Sequence, residues 1–437
     1  MQRLAYKELV DWKRRPNHKP LIIRGARQVG KTWLMKAFGS REYEQIAYIN
    51  LESSKTMHAL FELDFDLHRL IRGLQIETGV LIQPDTTLIV LDEIQECPAA
   101  LTALKYFQEN APSFDIIAAG SLLGVAMHQV VSFPVGKVEF LDLYPLTFHE
   151  YLVASANEPL LQMMKDSDWE MVTAFKQKLI ELLRQYYFIG GMPEAVNHFI
   201  QTNDYHGVRV IQQRLLDAYE QDFSKHAPYD QLPRIRMVWQ SIISQLAKEN
   251  SKFIYSALRQ GARAKDFELA LAWLADAGLI HKVTRISKPS LPLAAYEDIN
   301  DFKIYLFDVG LLAAMGKLDP SVILKENDLF IEFKGTLSEQ YVLQQIVANH
   351  ITPHYWTVEK SKAEVDFVIQ LKNAVIPVEV KAAENLRSKS LRVFYDTFNP
   401  SRVVRTSLSD FKTQDWMTNI PLYVFPIGLD CPTSHKW

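Results

Sequence analysis

Gly25-Ala26-Arg27-Gln28-Val29-Gly30-Lys31-Thr32 follows the apolar run Pro20-Leu21-Ile22-Ile23-Arg24 and opens a helical stretch. A glycine-rich G-x4-G-K-[ST] turn between a strand and a helix is half of a βαβ unit, so it commits this part of the chain to a parallel sheet with helical crossovers. Three further runs fit the same sheet: Ile46 to Leu51, Thr87 to Leu91 and Phe114 to Ala119. Each is short and continuously apolar, as a strand buried on both faces should be. Helix-length spacers separate them, so helices are expected to cover the sheet.

The chemistry of the turn follows from its composition. Glycines let backbone N–H groups curl around phosphates, and the helix N-terminus adds positive potential. Lys31 is placed to reach the β- and γ-phosphates, and the Thr32 hydroxyl to ligate Mg²⁺. The run Thr87-Leu88-Ile89-Val90-Leu91-Asp92-Glu93 delivers two carboxylates to the C-terminal edge of the sheet, where open α/β sheets bind ligands. Asp92 is expected to hold Mg²⁺ through water, and Glu93 to orient or deprotonate the attacking water. Ser121, closing the next strand, suits a sensor of the γ-phosphate, and Lys137 is either a stabiliser of transition-state charge or a solvated surface lysine.

Beyond this core the chain of 437 residues is long enough for two to four domains. Helical signals fill Trp169 to Tyr187 and Tyr205 to Phe223, broken by Gly190-Gly191-Met192-Pro193. The stretch from Phe253 to Ile286 reads as two helical patterns and an extended end, with Ile280 to Ile286 as a β wing, an order that suits a winged helix-turn-helix. A small mixed α/β unit follows from near Lys325, with a helix over Leu337 to Ala348 and strands around Val358, Val365 to Leu371 and Val375 to Ala382. The expected division is 1–155, a P-loop core; 156–235, a helical lid or linker; 236–320, winged-helix-like; and 321–437, the α/β unit.

In that last unit Asp366 faces one side of its strand, while Val365, Phe367 and Ile369 face the other. Glu379 and Lys381 share a face two residues apart, and Glu339 lies on the preceding helix. Two carboxylates on adjacent strands can chelate a hard cation, and a neighbouring lysine can orient an activated water. The same E-x-K alternation also arises on solvated strands, so both readings stand.

Composition limits the partners. Net charge is −3, so any nucleic-acid contact must come from local patches. Two such stretches exist: Arg387, Lys389, Arg392, Arg402 and Arg405 with Phe394 and Tyr395, and Arg259, Arg263, Lys265, Lys282, Arg285 and Lys288 in the winged-helix-like segment. Both read either as phosphate tracks or as solvated or protein-docking faces. No apolar run nears the roughly 18 to 20 residues a membrane span needs, and the first residues lack the apolar stretch of a secretory signal. Cys97 and Cys431 cannot build a disulfide scaffold. A cytoplasmic protein with no membrane partner is expected.

Taken together, Arg24 to Thr32, Leu91-Asp92-Glu93-Ile94-Gln95, Ala119-Gly120-Ser121 and Leu143 to Tyr151 resemble a family of prokaryotic AAA-type P-loop ATPases with a C-terminal domain called DUF4143. Gly190 to Ala195 and Tyr305 to Leu312 also look like landmarks of that family. The resemblance covers nearly the whole chain. It implies an α/β fold: an AAA-type P-loop core, a helical and winged-helix segment, and a small domain similar to PD-(D/E)xK restriction endonucleases, with the DUF4143 region over about 220–390. It implies ATP and Mg²⁺ as ligands, with adenine preference resting on the resemblance alone. It assigns Glu339, Asp366, Glu379 and Lys381 to a nuclease-like site, with DNA as a partner, and allows a homo-oligomer with its active site at a subunit interface. The family often carries Arg where Lys137 stands; Lys keeps the charge but loses the fork geometry. The leading expectation is an ATPase coupling nucleotide state to DNA binding or cleavage. The alternatives are a nucleotide-switched docking protein with a silent nuclease-like domain and, more weakly, a small-molecule kinase.

Overall fold

The computed structural model describes residues 2–121, 123–124, 133–248, 252–324, 331–358, 363–382 and 388–429; Lys325, Arg387 and Cys431 lie outside them. The chain forms two compact units, Met1–Tyr144 with Trp273–Leu279, and Pro145–Ala272 with Ile280–Trp437.

The first unit is built on five parallel strands, β1 (Leu21–Arg24), β2 (Gln45–Asn50), β3 (Thr87–Asp92), β4 (Asp115–Ala119) and β5 (Glu139–Asp142), in the order β2-β3-β4-β1-β5. Every residue of β3 and β4 is buried, which is why these runs read as unbroken apolar stretches. Ile22, Ile89, Leu91, Ile116 and Ala118 pack with Met57, Phe61, Leu70, Leu74, Leu101, Leu104 and Phe107 from the covering helices Lys55–Leu63, Leu67–Thr78 and Pro98–Asn110. Strand β5 carries no such signal in the sequence. It is a four-residue edge strand in which only Leu141 is buried, so there is no apolar run to detect.

The second unit begins with seven helices between Phe148 and Leu246. The first opens with a capping box: the Thr147 hydroxyl accepts from the Glu150 N–H (3.2 Å), and the Glu150 carboxylate accepts from the Thr147 N–H (2.8 Å). The glycine pair further on meets a carboxylate from far along the chain. Buried Asp308 accepts from the Gly191 N–H (2.6 Å) and the Leu311 N–H (2.9 Å), capping the helix Val309–Met315. Gly190, at φ +74°, lies so close that a Cβ there would sit 2.2 Å from the Asp308 carboxylate oxygen. These landmarks are therefore one packing joint.

An eight-stranded mixed sheet completes the unit: β6 (Ile280–Ile286), β7 (Glu297–Leu306), β8 (Pro353–Thr357), β9 (Glu364–Leu371), β10 (Ala374–Val380), β11 (Val404–Ser407), β12 (Lys412–Thr413) and β13 (Thr418–Pro421), ordered β12-β13-β11-β10-β9-β8-β6-β7. The segment read as a β wing is an internal strand of this sheet: β6 pairs antiparallel with β7 on one side and parallel with β8 on the other. Its Ile280, Val283 and Ile286, three residues apart, are buried. The helices Ile331–Ala348 and Lys389–Phe398 accompany the sheet.

Candidate functional site

The phosphate loop leaves β1 and enters the helix Lys31–Glu42 through Gly30, whose left-handed backbone (φ +97°) makes the turn. Lys31 is 6% exposed, and its amine donates to the loop's own Gly25 and Ala26 carbonyls, both at 2.9 Å. Burial pulls its pKa down to about 8, against the opposing carboxylates of Glu93 and Asp92. A buried ammonium with only neutral contact partners is poised for an anion.

Strand order brings the remaining groups together. β4 lies between β1 and β3, so the β3 carboxylates reach the loop across the end of β4, where Ser121 sits. The Thr32 hydroxyl donates to Asp92 Oδ2 at 2.7 Å, and the Tyr48 hydroxyl donates to the same oxygen at 2.9 Å. A hydroxyl and a carboxylate meeting in this way are hard oxygen donors that fit Mg²⁺. Glu93 adopts a left-handed backbone (φ +51°), a conformation costing a non-glycine residue about 1–2 kcal/mol. Its carboxylate accepts from Gln95 Nε2 at 2.7 Å and from the Ser121 N–H at 3.4 Å. Gln95 itself lies against Gly120, where a Cβ would come within 2.5 Å of the Gln95 amide oxygen.

Gly25 to Thr32, Asp92, Glu93 and Ser121 therefore converge on one edge of the sheet. Lys137 does not join them. It precedes β5, whose Glu139 pairs with Leu21 at the start of β1, so it lies at the opposite end of the sheet from the loop. There its amine pairs with Glu109 Oε1 at 2.9 Å. Sequence reasoning missed Tyr48, Gln95 and Arg3, whose guanidinium supports the loop by donating to the Val29 carbonyl at 2.9 Å. It also missed Gly278, whose Cβ position lies 3.2 Å from the Ala26 nitrogen.

In the second unit Glu339, Asp366, Glu379 and Lys381 are neighbours, and Lys303, Tyr305 and Glu364 join them. Lys381 Nζ pairs with Glu379 Oε1 at 2.7 Å, and Asp366 Oδ2 accepts from the Val380 N–H at 2.7 Å. The Tyr305 hydroxyl donates to Glu339 Oε2 at 3.2 Å, and Lys303 pairs with Glu364. Burial, then the Asp366 charge, pushes Glu339 up to about 8 against the pull of Lys303. The same two causes push Glu379 up to about 7 against Lys381. Burial lowers the Lys303 pKa, but Glu364, Glu339 and Asp366 together raise it above the usual lysine value. Among the described residues no group of three or more His, Cys, Asp or Glu side chains is arranged to hold a metal ion. Asp366 Oδ2, Glu379 Oε1 and Glu339 Oε2 have partners within the chain, while Glu379 Oε2 is buried without one.

The basic stretch near the C-terminus, read as either a phosphate track or a solvated face, has several of its described members turned to partners within the chain. Arg405 is 1% exposed and donates to Asn419 Oδ1 at 2.9 Å. Arg402 donates to the Gly428 carbonyl at 3.0 Å, Phe394 is buried, and Arg392 pairs with Asp396 at 2.9 Å. In the middle segment Arg285 is held by Asp298 (2.8 Å) and Asp301 (3.1 Å), while Arg259, Arg263, Lys265, Lys282 and Lys288 are exposed. No helix among the described residues is long and apolar enough to cross a membrane.

Residues 17–152 match the sequence profile of an AAA domain, residues 180–322 that of a domain of unknown function (DUF8612), and residues 334–425 that of a second domain of unknown function (DUF4143). No curated protein matches the chain by sequence. Among solved structures, a Walker-type ATPase of Pyrococcus abyssi is similar at 14% identity and a TM-score of 0.44, covering 71% of this chain and 94% of that one. The Orc1 protein of Aeropyrum pernix, solved in complex with DNA, is similar at 12% identity and a TM-score of 0.27, covering 72% of this chain and 91% of its own. Cdc6p of Pyrobaculum aerophilum is similar at 12% identity and a TM-score of 0.26, covering 74% and 96%. This chain therefore carries an AAA domain at 17–152 and a DUF4143 domain at 334–425.

Proposed function

We propose that this AAA-domain protein binds ATP with Mg²⁺ in the loop Gly25–Thr32, hydrolyses it, and couples that cycle to DNA engagement by its second unit. The observation that carries the ATPase reading is the 2.7 Å bond from the Thr32 hydroxyl to Asp92, with Glu93 held beside it by Gln95. In this reading Lys31 neutralises the β- and γ-phosphates, and Glu93 orients the attacking water and takes its proton. Thr32 and Asp92 hold the Mg²⁺, which offsets phosphate charge when bound. Ser121 completes the edge as a polar contact near the γ-phosphate. The DNA half rests on the acid-lysine cluster Glu339, Asp366, Glu379 and Lys381 and on the exposed cations Arg259, Arg263 and Lys265.

A second reading makes the DUF4143 domain a docking module with no cleavage chemistry. It is favoured by the pairing of Lys303 with Glu364 and of Lys381 with Glu379, which gives those two acids counter-ions from within the chain.

Phosphate release and DNA cleavage measured on the same preparations test both. Glu93→Gln is expected to slow ATP turnover about 10²–10⁴-fold, as loss of a general base does, and Lys31→Ala to abolish it. Undiminished turnover in both variants would sink the ATPase reading. Mg²⁺- or Mn²⁺-dependent cleavage of supercoiled, linear or single-stranded DNA that disappears in Asp366→Ala supports a nuclease. No cleavage with turnover intact supports the docking reading.

A further inference from the structure

Of the three residues that join the predicted acid cluster, Lys303 is the cation. It stands on β7 opposite Val283 of β6 and is wholly buried. Its amine pairs with Glu364 of β9, and lies 5.0 Å from the centre of the Tyr355 ring. Two residues along β7, hence on the same face, Tyr305 donates to Glu339 at 3.2 Å. Strand β7 thus sends a cation and a hydroxyl into the carboxylates of β9 and of the helix Ile331–Ala348. As the arrangement stands, the Lys303 ammonium occupies the Glu364 carboxylate that a divalent cation entering the cluster would have to take. Within the cluster, Glu379 Oε2 is buried without a hydrogen-bond partner.

We infer that Lys303 is the resident counter-cation of the DUF4143 acid cluster, holding Glu364, Asp366 and Glu339 together without a metal and excluding one while it is there. This deepens the docking reading given above and rests on it. The physical ground is substitution of charge. Buried carboxylates need a compensating cation, and a covalently tethered ammonium is always present, whereas a divalent ion must displace it. Lys303 is a positioning residue in this account: it touches neither nucleotide nor DNA, and acts by keeping the acids in place.

The test uses the full chain without nucleotide, titrated with Mn²⁺ alone and followed by thermal melting and calorimetry. Wild type, Lys303→Met and the double variant Lys303→Met with Glu364→Gln are compared. The phosphate loop is common to all three, so its own Mn²⁺ uptake cancels. Lys303→Met is expected to melt below wild type, to regain its melting temperature with Mn²⁺, and to bind Mn²⁺ roughly ten-fold or more tightly than wild type at the added site. The double variant is expected to melt near wild type and to lose the Mn²⁺ response. Equal Mn²⁺ responses in wild type and Lys303→Met, or a response retained in the double variant, would overturn the inference. If Lys303→Met does not fold even with Mn²⁺, the double variant decides. A folded double variant shows that uncompensated Glu364 was the fault, and an unfolded one overturns the counter-cation role. DNA cleavage by wild type would sink the docking reading alone, because the Mn²⁺ titration reads cation uptake and not cleavage.

Discussion

The two units each bury a lysine, and the partners chosen for it differ in kind. Lys31 is held by two backbone carbonyls, and its pKa falls to about 8; Lys303 is held by a carboxylate within a carboxylate cluster, and its pKa rises. Carbonyls stabilise an ammonium weakly, so much of its desolvation remains uncompensated until an anion arrives. A carboxylate completes the compensation inside the chain, and little drive is left for an outside ligand. In the readings proposed above, the same side chain is a ligand-binding charge in one site and a structural counter-ion in the other. Burial and residue type do not tell them apart; the partner does.

The largest expected effect breaks this contrast directly. In nucleotide-free protein Lys303→Met should cost about 3–5 kcal/mol, the loss expected when one member of a buried pair is removed. Lys31→Met should change stability by no more than about 1 kcal/mol, because no charged partner is stranded in direct contact. The pH dependence has opposite parentage. Lys31 holds its proton less tightly in the folded chain, so wild type should gain stability relative to Lys31→Met as pH rises from about 8 towards the ordinary lysine value of 10.5. Chemical denaturation of both variants and wild type at pH 7 and pH 9 checks this. Equal losses for the two substitutions would dissolve the distinction.

A smaller effect sharpens the phosphate-site half. Gln95 touches neither the loop nor Thr32 in the bonds described, yet its amide holds Glu93 Oε2 at 2.7 Å. Removing it frees a carboxylate from its position without altering its chemistry. Gln95→Ala is expected to lower kcat for ATP about ten- to hundred-fold, the range seen when a supporting contact of a reactive group is removed. Binding of a nucleotide analogue should stay nearly unchanged, and Gln95→Glu should not rescue turnover because it sets a second carboxylate against Glu93. An affinity loss as large as the kcat loss would show that Gln95 shapes the pocket rather than positions Glu93.

Gln95 also shows why a sequence discloses some parts of a site and hides others. Gly25 to Thr32 is contiguous, and its function depends on backbone placed by local turn chemistry, so it is legible as a string. Asp92 and Glu93 are legible because an apolar strand must end somewhere, and acids at that end stand out. Asp366, Glu379 and Lys381 follow from strand alternation. Gln95 curls back two residues to Glu93, and Tyr48 reaches Asp92 from a strand whose aromatic residue reads as core. Neither has a period. Lys303 was hidden for a different reason: its partner lies on β9, and the sheet order that brings β7 and β9 into one sheet, through β8 and β6, has no local signal. The same blindness left the phosphate-track and solvated-face readings of the C-terminal stretch unseparated, since the inward turn of Arg405 depends on Asn419, its partner on the neighbouring strand β13. Gly190, Gly191 and Asp308 stood out as strings while their joint remained invisible.

The smallest expected effect concerns Lys137, which lies at the far end of the sheet from the nucleotide edge. Its pair with Glu109 is substantially exposed on both sides (40% and 34%), so solvent screens it and it contributes little to stability. Within one chain Lys137→Ala is therefore expected to leave ATP turnover within about two-fold of wild type, a barrier change of about 0.4 kcal/mol. A cation acting from a neighbouring subunit would behave differently. Turnover per chain would rise with protein concentration in wild type, and Lys137→Ala would remove the rise while leaving the dilute value untouched. Specific activity measured across a hundred-fold range of concentration, beside light scattering with and without ATP and Mg²⁺, distinguishes the two cases. A flat profile in both proteins makes Lys137 a surface charge; a concentration-dependent loss makes the opposite edge of the sheet the face that a second copy presents to the phosphates.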